Sequence, residues 1–179
     1  MAAVTRHKGH DVLVDALTVL PEAPWTLVCV GTLTREPELV HRLRDRLAGA
    51  GLADRVRLTG PLTGAALDAA YAAADLLVLP SRGETYGMVV TGAGARPAGA
   101  GHPGGRRTGG ARAYPDGDLP GLLVPPDDPA ALAGALSWWL GDDDLRDRLR
   151  RAALARRDTL TDWPVTTALL AGVLKEVAG

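Results

Sequence analysis

Short apolar runs that alternate with helically spaced stretches confine this chain to very few architectures. The first run, "WTLVCVG" at residues 25–31, is continuous, four to six residues deep in Leu, Val and Cys, and stopped by Gly. Such a run reads as a strand buried on both faces rather than on one, which is the habit of parallel sheets. Ahead of it, "KGHDVLVDALTVLP" sets Val12, Leu13, Ala16, Leu17 and Leu20 on one helical face, with Pro21 beyond its end. Behind it, residues 36–50 place Leu39, Val40, Leu43 and Leu47 on one face and charges on the other. Gly49 and Gly51 supply the stop. "DRVRLTG" predicts a second strand, "AALDAAYAAA" an alanine-rich helix, and "DLLVLP" at residues 75–80 a third strand. Strands and helices alternating at this spacing imply right-handed β-α-β crossovers and a parallel sheet with helices on both faces.

After residue 120 the pattern continues. "PGLLVPPDDPAALAGALSWWL" predicts a short strand and a helix with Asp128 at its N-cap and Pro129 at N1. At least one of Trp138 and Trp139 is expected in the core. "DDDLRDRLRRAALARRD" places acids in its first turn and bases in its last, matching the helix dipole. "DWPVTTALLAGVLKEVAG" predicts a closing helix. At 179 residues the whole chain, 1–179, suits a single domain.

Totals exclude several functions. The net charge of −1 gives no global field for nucleic acid or an anionic membrane. The arginines 96, 106, 107 and 112 sit in a Gly-rich stretch without interleaved aromatics, so an RNA-binding arm is not indicated either. Cys29 is the one cysteine, which precludes a disulfide framework or a cysteine zinc site. The four histidines, His7, His10, His41 and His102, show no ligand spacing, and Asp142, Asp143 and Asp144 read as a helix cap rather than a metal site. No metal and no cofactor are expected. Neither a membrane-spanning run nor a leader is visible, so the cytoplasm is the expected compartment.

Ligands of doubly wound sheets bind beyond the carboxyl ends of the strands, where loops lead into helices. "PSRGETYGMVV" after Leu79 is such a loop. Gly83 and Gly87 bracket Glu84, Thr85 and Tyr86, and the amides of Gly87, Met88 and Val89 would open a helix, a ready phosphate site. A carboxylate beside it suits hydroxyls, as on a sugar or ribose. A helix start with a dipole-matched acid is the plainer alternative on spacing alone.

The loop, taken with "KGHDVLVDALTVLP…WTLVCVG", "VRLTG", "GLLVPPDDPAALAGAL" and the last "DW", resembles the C-terminal, donor-binding domain of family 4 retaining glycosyltransferases over residues 4–91 and 115–179. That resemblance implies one Rossmann-like half of a GT-B fold, no metal, and a nucleotide diphosphate sugar as donor. It further implies that Lys8 contacts the diphosphate, that Glu84 faces the donor-sugar hydroxyls, and that Gly83, Thr85 and Tyr86 with the amides of Gly87, Met88 and Val89 complete the pocket. Three departures accompany it. Gly92 stands where the second glutamate, the ribose ligand, is expected; the arginine ordinarily found a few residues before Lys8 is absent; and the acceptor-binding N-terminal half is not part of these residues. The chain is therefore expected to be inactive alone, with the acceptor half on a separate chain as one arrangement and a non-catalytic nucleotide-binding or interaction module as the rival reading.

Residues 92–113 hold no Leu, Ile, Val or acid. Read one base later in a GC-rich gene, the codons for residues 95–111 permit Arg-Gly-Leu-Pro-Val-Leu-Ala-Thr-Arg-Val-Gly-Gly-x-Pro-Glu-Ala-Leu, which resembles what the family shows there. A local frameshift, restored near Tyr114, is the expectation. As written, the stretch cannot offset its ordering entropy, and the sheet is expected to be disrupted after residue 91.

Overall fold

The computed structural model describes residues 2–83 and 121–157. The expectations for residues 84–120 and 158–179, including the disruption after residue 91 and the closing helix, lie outside them. Two strands, β1 (Leu27–Val30) and β2 (Val56–Gly60), pair in parallel, with Leu27 opposite Val56 and a register irregularity between Cys29 and Val30. Five α-helices accompany them among the described residues: α1 (His10–Leu17), α2 (Pro37–Gly49), α3 (Gly64–Ala72), α4 (Pro129–Gly141) and α5 (Asp143–Arg157). The α/β architecture with a parallel sheet is as the sequence spacing requires.

Peptide groups along a strand point alternately to opposite edges. The amides of Leu27 and Gly31 donate to Arg55 and Gly60 on the β2 side. The carbonyls of Val30 and Thr32 face the other way and accept from Ala2 and Val4, each at 3.0 Å. Residues 2–4 therefore run along the second edge of β1, and Val4 is fully buried there. This short extended piece leads directly into a 3₁₀ turn, Arg6–Lys8, beyond the carboxyl end of β1.

The core gathers on one side of the sheet. Val12, Leu13, Ala16 and Leu17 of α1 meet Leu39, Val40, Leu43 and Leu47 of α2 and Leu132, Ala133 and Leu136 of α4, with Val56 of β2 beneath. Alpha-helix α2 ends in a Schellman motif. Gly51 takes φ 68° and donates to Ala48, and Leu52 donates to the Leu47 carbonyl at 2.8 Å. The Asp128 carboxylate caps α4 by accepting from the Ala131 amide at 2.8 Å, and Asp142 caps α5 through the Leu145 amide at 2.8 Å. Both caps stand where the sequence puts them.

Three expectations need correction. β1 is not buried on both faces, because Val28 is 45% exposed. A cavity of ≈ 920 Å³ with walls from β1, α3 and α4 leaves that face poorly covered by described residues. The runs "DLLVLP" and "GLLVP" form no ladder among the described residues. Leu79 is buried and Leu76, Val78 and Val124 pack on the core, so side chains hold these segments in place of strand hydrogen bonds. Neither Trp138 nor Trp139 joins the core. Leu132, Ala133 and Leu136 define the inward face of α4, and Trp138 falls on its far side, 51% exposed, donating to Asp142 at 3.1 Å.

Candidate functional site

Lys8 ends the 3₁₀ turn, and Gly9 follows it in the left-handed region at φ 66°. A Cβ at Gly9 would fall 2.0 Å from the Pro80 carbonyl oxygen, so two backbones touch here and only glycine fits. The Arg82 amide donates to the His7 carbonyl at 3.0 Å, and a Cβ at Gly83 would meet the His7 ring at 3.4 Å. The turn carrying Lys8 and the loop carrying Gly83 thus lie side by side past the carboxyl end of the sheet. Of the sequence-predicted site residues, Lys8 and Gly83 are placed by the structure and are brought together. Glu84, Thr85, Tyr86, Gly87, Met88 and Val89 lie outside the described residues, as does His102.

Three acidic and basic residues that the sequence reading did not single out organise this end of the domain. Arg82 sends Nη1 and Nη2 to the two Asp11 carboxylate oxygens at 3.0 and 2.9 Å, and its Nε reaches Asp127 at 2.5 Å. Nη1 also donates to the Arg6 carbonyl. Burial alone would raise the Asp11 carboxyl, but the Arg82 fork outweighs it and holds Asp11 below the ordinary carboxylate range. Asp11, bonded to Arg82 first of all, in turn raises the guanidinium further. Asp127 sits at φ 57°, rare for a residue other than glycine. The one sequence signal for this cluster was Arg82 itself, a lone cation beside Glu84. Its partners, seventy residues back and forty-five ahead, have no local signature.

Other chemistry is muted. Burial pushes the half-buried Cys29 thiol up to about 11, so it is a structural thiol as expected. Burial also lowers His10, whose Nδ1 is buried without a hydrogen-bond partner among the described residues. No group of three or more His, Cys, Asp or Glu among the described residues could hold a metal ion. No described helix is long and apolar enough to cross a membrane. The ≈ 920 Å³ cavity includes Lys8 and Ser81 in its lining but extends along α1, β1, α3, residues 73–81 and α4, so the paired loops define the candidate site better than the cavity does.

A parallel sheet whose carboxyl-end loops converge defines a Rossmann-like domain, and solved structures similar to this one carry GT-B domains. Sucrose-phosphate synthase of Thermosynechococcus elongatus superposes with a TM-score of 0.77 at 27% identity, over 97% of this chain and 43% of its own. HepE of Anabaena, solved in complex with UDP and glucose, gives 0.80 at 24% identity, over 97% and 46%, a likeness of fold alone. The sequence pattern of the family Glycosyl transferases group 1 matches residues 1–156, and the chain belongs to that family. The D-inositol 3-phosphate glycosyltransferase of Jonesia denitrificans is 37% identical over 171 residues, which cover 92% of this chain and 39% of that protein. The chain therefore spans about two fifths of the length of this curated relative.

Proposed function

We propose that residues 1–179 form a single nucleotide-sugar-binding domain, the donor half of a glycosyltransferase that moves a sugar from a nucleotide diphosphate sugar to an acceptor with retention of configuration. The observation that carries this reading is the backbone contact between the Lys8 turn and the loop entering Glu84, since it sets two donor-site segments side by side. Family membership and the UDP-bound HepE neighbour support the ligand class. Lys8 neutralises the diphosphate. Glu84 accepts hydrogen bonds from sugar hydroxyls, and Gly83, Thr85 and Tyr86 shape the turn around it. The amides of Gly87, Met88 and Val89 stabilise charge on the departing diphosphate, the moment at which such groups contribute most. The acceptor side belongs to a complementary half outside these residues, and a lone thiol fits the reducing cytoplasm.

Gly92 replaces the expected ribose carboxylate, and with the frameshift proposed across residues 92–113 the chain as written binds weakly and does not turn over alone. Calorimetric titration with UDP, GDP and ADP tests this. One of them should bind at roughly millimolar Kd, about −4 kcal/mol, and Lys8→Ala should weaken it by about tenfold or more. Micromolar affinity indifferent to Lys8→Ala and Glu84→Gln would overturn the site.

A further inference from the structure

We propose that Arg82 is a positioning residue for the donor site, a three-way clamp that sets the Lys8 turn against the loop leading to Glu84; the link to donor binding rests on the function proposed above. One side chain bridges three loops. Its Nη1 donates to the Arg6 carbonyl in the Lys8 turn, its two Nη atoms hold Asp11 at the start of α1, and its Nε holds Asp127 in the loop before α4, while the Arg82 backbone amide donates to the His7 carbonyl. Because Nε, Nη1 and Nη2 each already meet a protein acceptor, Arg82 acts through Lys8 and Glu84 and does not contact phosphate itself. The geometry needs a fork. A planar guanidinium serves two carboxylates at fixed angles, which an ammonium cannot do.

Asp127 supplies an independent argument. Its φ of 57° lies in the left-handed region, which aspartate tolerates better than most side chains and glycine adopts freely, and its carboxylate reaches Arg82. Asp127→Gly keeps that backbone and deletes only the carboxylate, so it separates the clamp from the turn geometry.

The test compares Arg82→Lys, Arg82→Gln and Asp127→Gly with the unaltered chain by hydrogen exchange and by titration with UDP, GDP and ADP. Exchange should quicken about tenfold in both Arg82 variants at residues 6–9 and 81–83, with α2 unchanged as the internal reference. Affinity for the nucleotide that binds should fall about tenfold in both, and by a smaller factor in Asp127→Gly. Rescue of exchange and affinity by Arg82→Lys would show that charge alone suffices and overturn the clamp, as would unchanged exchange in Arg82→Gln. Should Arg82→Gln lose protection in α2 as well, the domain has unfolded, and Arg82→Lys with Asp127→Gly decide by the same criteria. If the unaltered chain binds none of the nucleotides, the functional reading falls while exchange alone confirms or removes the clamp.

Discussion

Alpha-helices α2 and α3 follow the two paired strands in turn, and they are held in opposite ways. Helix α2 is rich in charge, yet Leu39, Val40, Leu43 and Leu47 are all at or below 4% exposure. Helix α3, "GAALDAAYA", is the more apolar in composition and has no buried residue. The difference lies in the placement of large side chains, not in average apolarity. Four aliphatic residues at helical spacing reach across the interhelical gap and exclude water over their full length, whereas alanines present too little surface to draw the helix onto the sheet. Much the same contrast divides the two faces of β1. The face toward α1 and α2 is packed, and the one bearing Val28 opens on the ≈ 920 Å³ cavity.

Rewriting residues 92–113 in the alternative frame should change this contrast most. On the proposed frameshift, the rewritten stretch carries a glutamate for the ribose and an aliphatic run that should form a strand, each buried Leu or Val of which contributes about 1.5–3 kcal/mol. One charge-assisted hydrogen bond of about 1.5–3 kcal/mol should tighten nucleotide binding by one to two decades. Thermal unfolding and calorimetry of both versions check this; equal melting and equal affinity would mean that the present stretch is a genuine element and that no frame is broken.

A pair of truncations sharpens the helix comparison. Leu43→Ala should destabilise the domain by about 2–5 kcal/mol. Leu67→Ala on α3, where Leu67 is only half-buried, should cost under about 1 kcal/mol. Urea unfolding of the two variants measures the difference, and equal losses would mean that α3 is docked as firmly as α2.

The smallest effect is in pH. His10 has a folded value below its ordinary 6.5, so the unfolded chain takes up the proton first and stability falls as pH drops from 6.5 through the lower folded value. Asp11 is also lowered, so its contribution is present above its ordinary 3.8 and vanishes as pH falls through the folded value. Unfolding scans should show a first decline below pH 6.5 that His10→Gln removes, and a second below 3.8 that Asp11→Asn removes. Both groups belong to the packed side: the Arg82 fork holds Asp11, while the Thr5 carbonyl and Asp11 favour protonated His10 and Lys8 opposes it.

How far the sequence could be read follows the same division. Leu39, Val40, Leu43 and Leu47 announced α2 because their spacing is itself the cause of packing, and Asp128 and Asp142 announced helix starts because a cap acts within three residues. Val28 could not be read as exposed, since exposure depends on what covers a face and not on the strand. Nor could 76–80 be read as lacking a ladder, because a strand requires a partner elsewhere. Lys8 was singled out through a family resemblance and Gly83 through the glycine spacing around Glu84 as well, whereas the Arg82–Asp11–Asp127 cluster was not anticipated. Charge pairing across distant segments leaves no periodic trace.

The contact between Gly9 and the Pro80 carbonyl bears on the timing of assembly. Closing a loop of roughly 70 residues costs about 4 kcal/mol of chain entropy, a cost that falls when α1, β1, α2 and β2 condense first and shorten the loop. During synthesis at roughly 5–20 residues per second, the glycine emerges about 4–14 seconds ahead of its partner. For that interval the turn that carries Lys8 is without the neighbour that Gly9 is shaped to meet, so it is made well before it is locked.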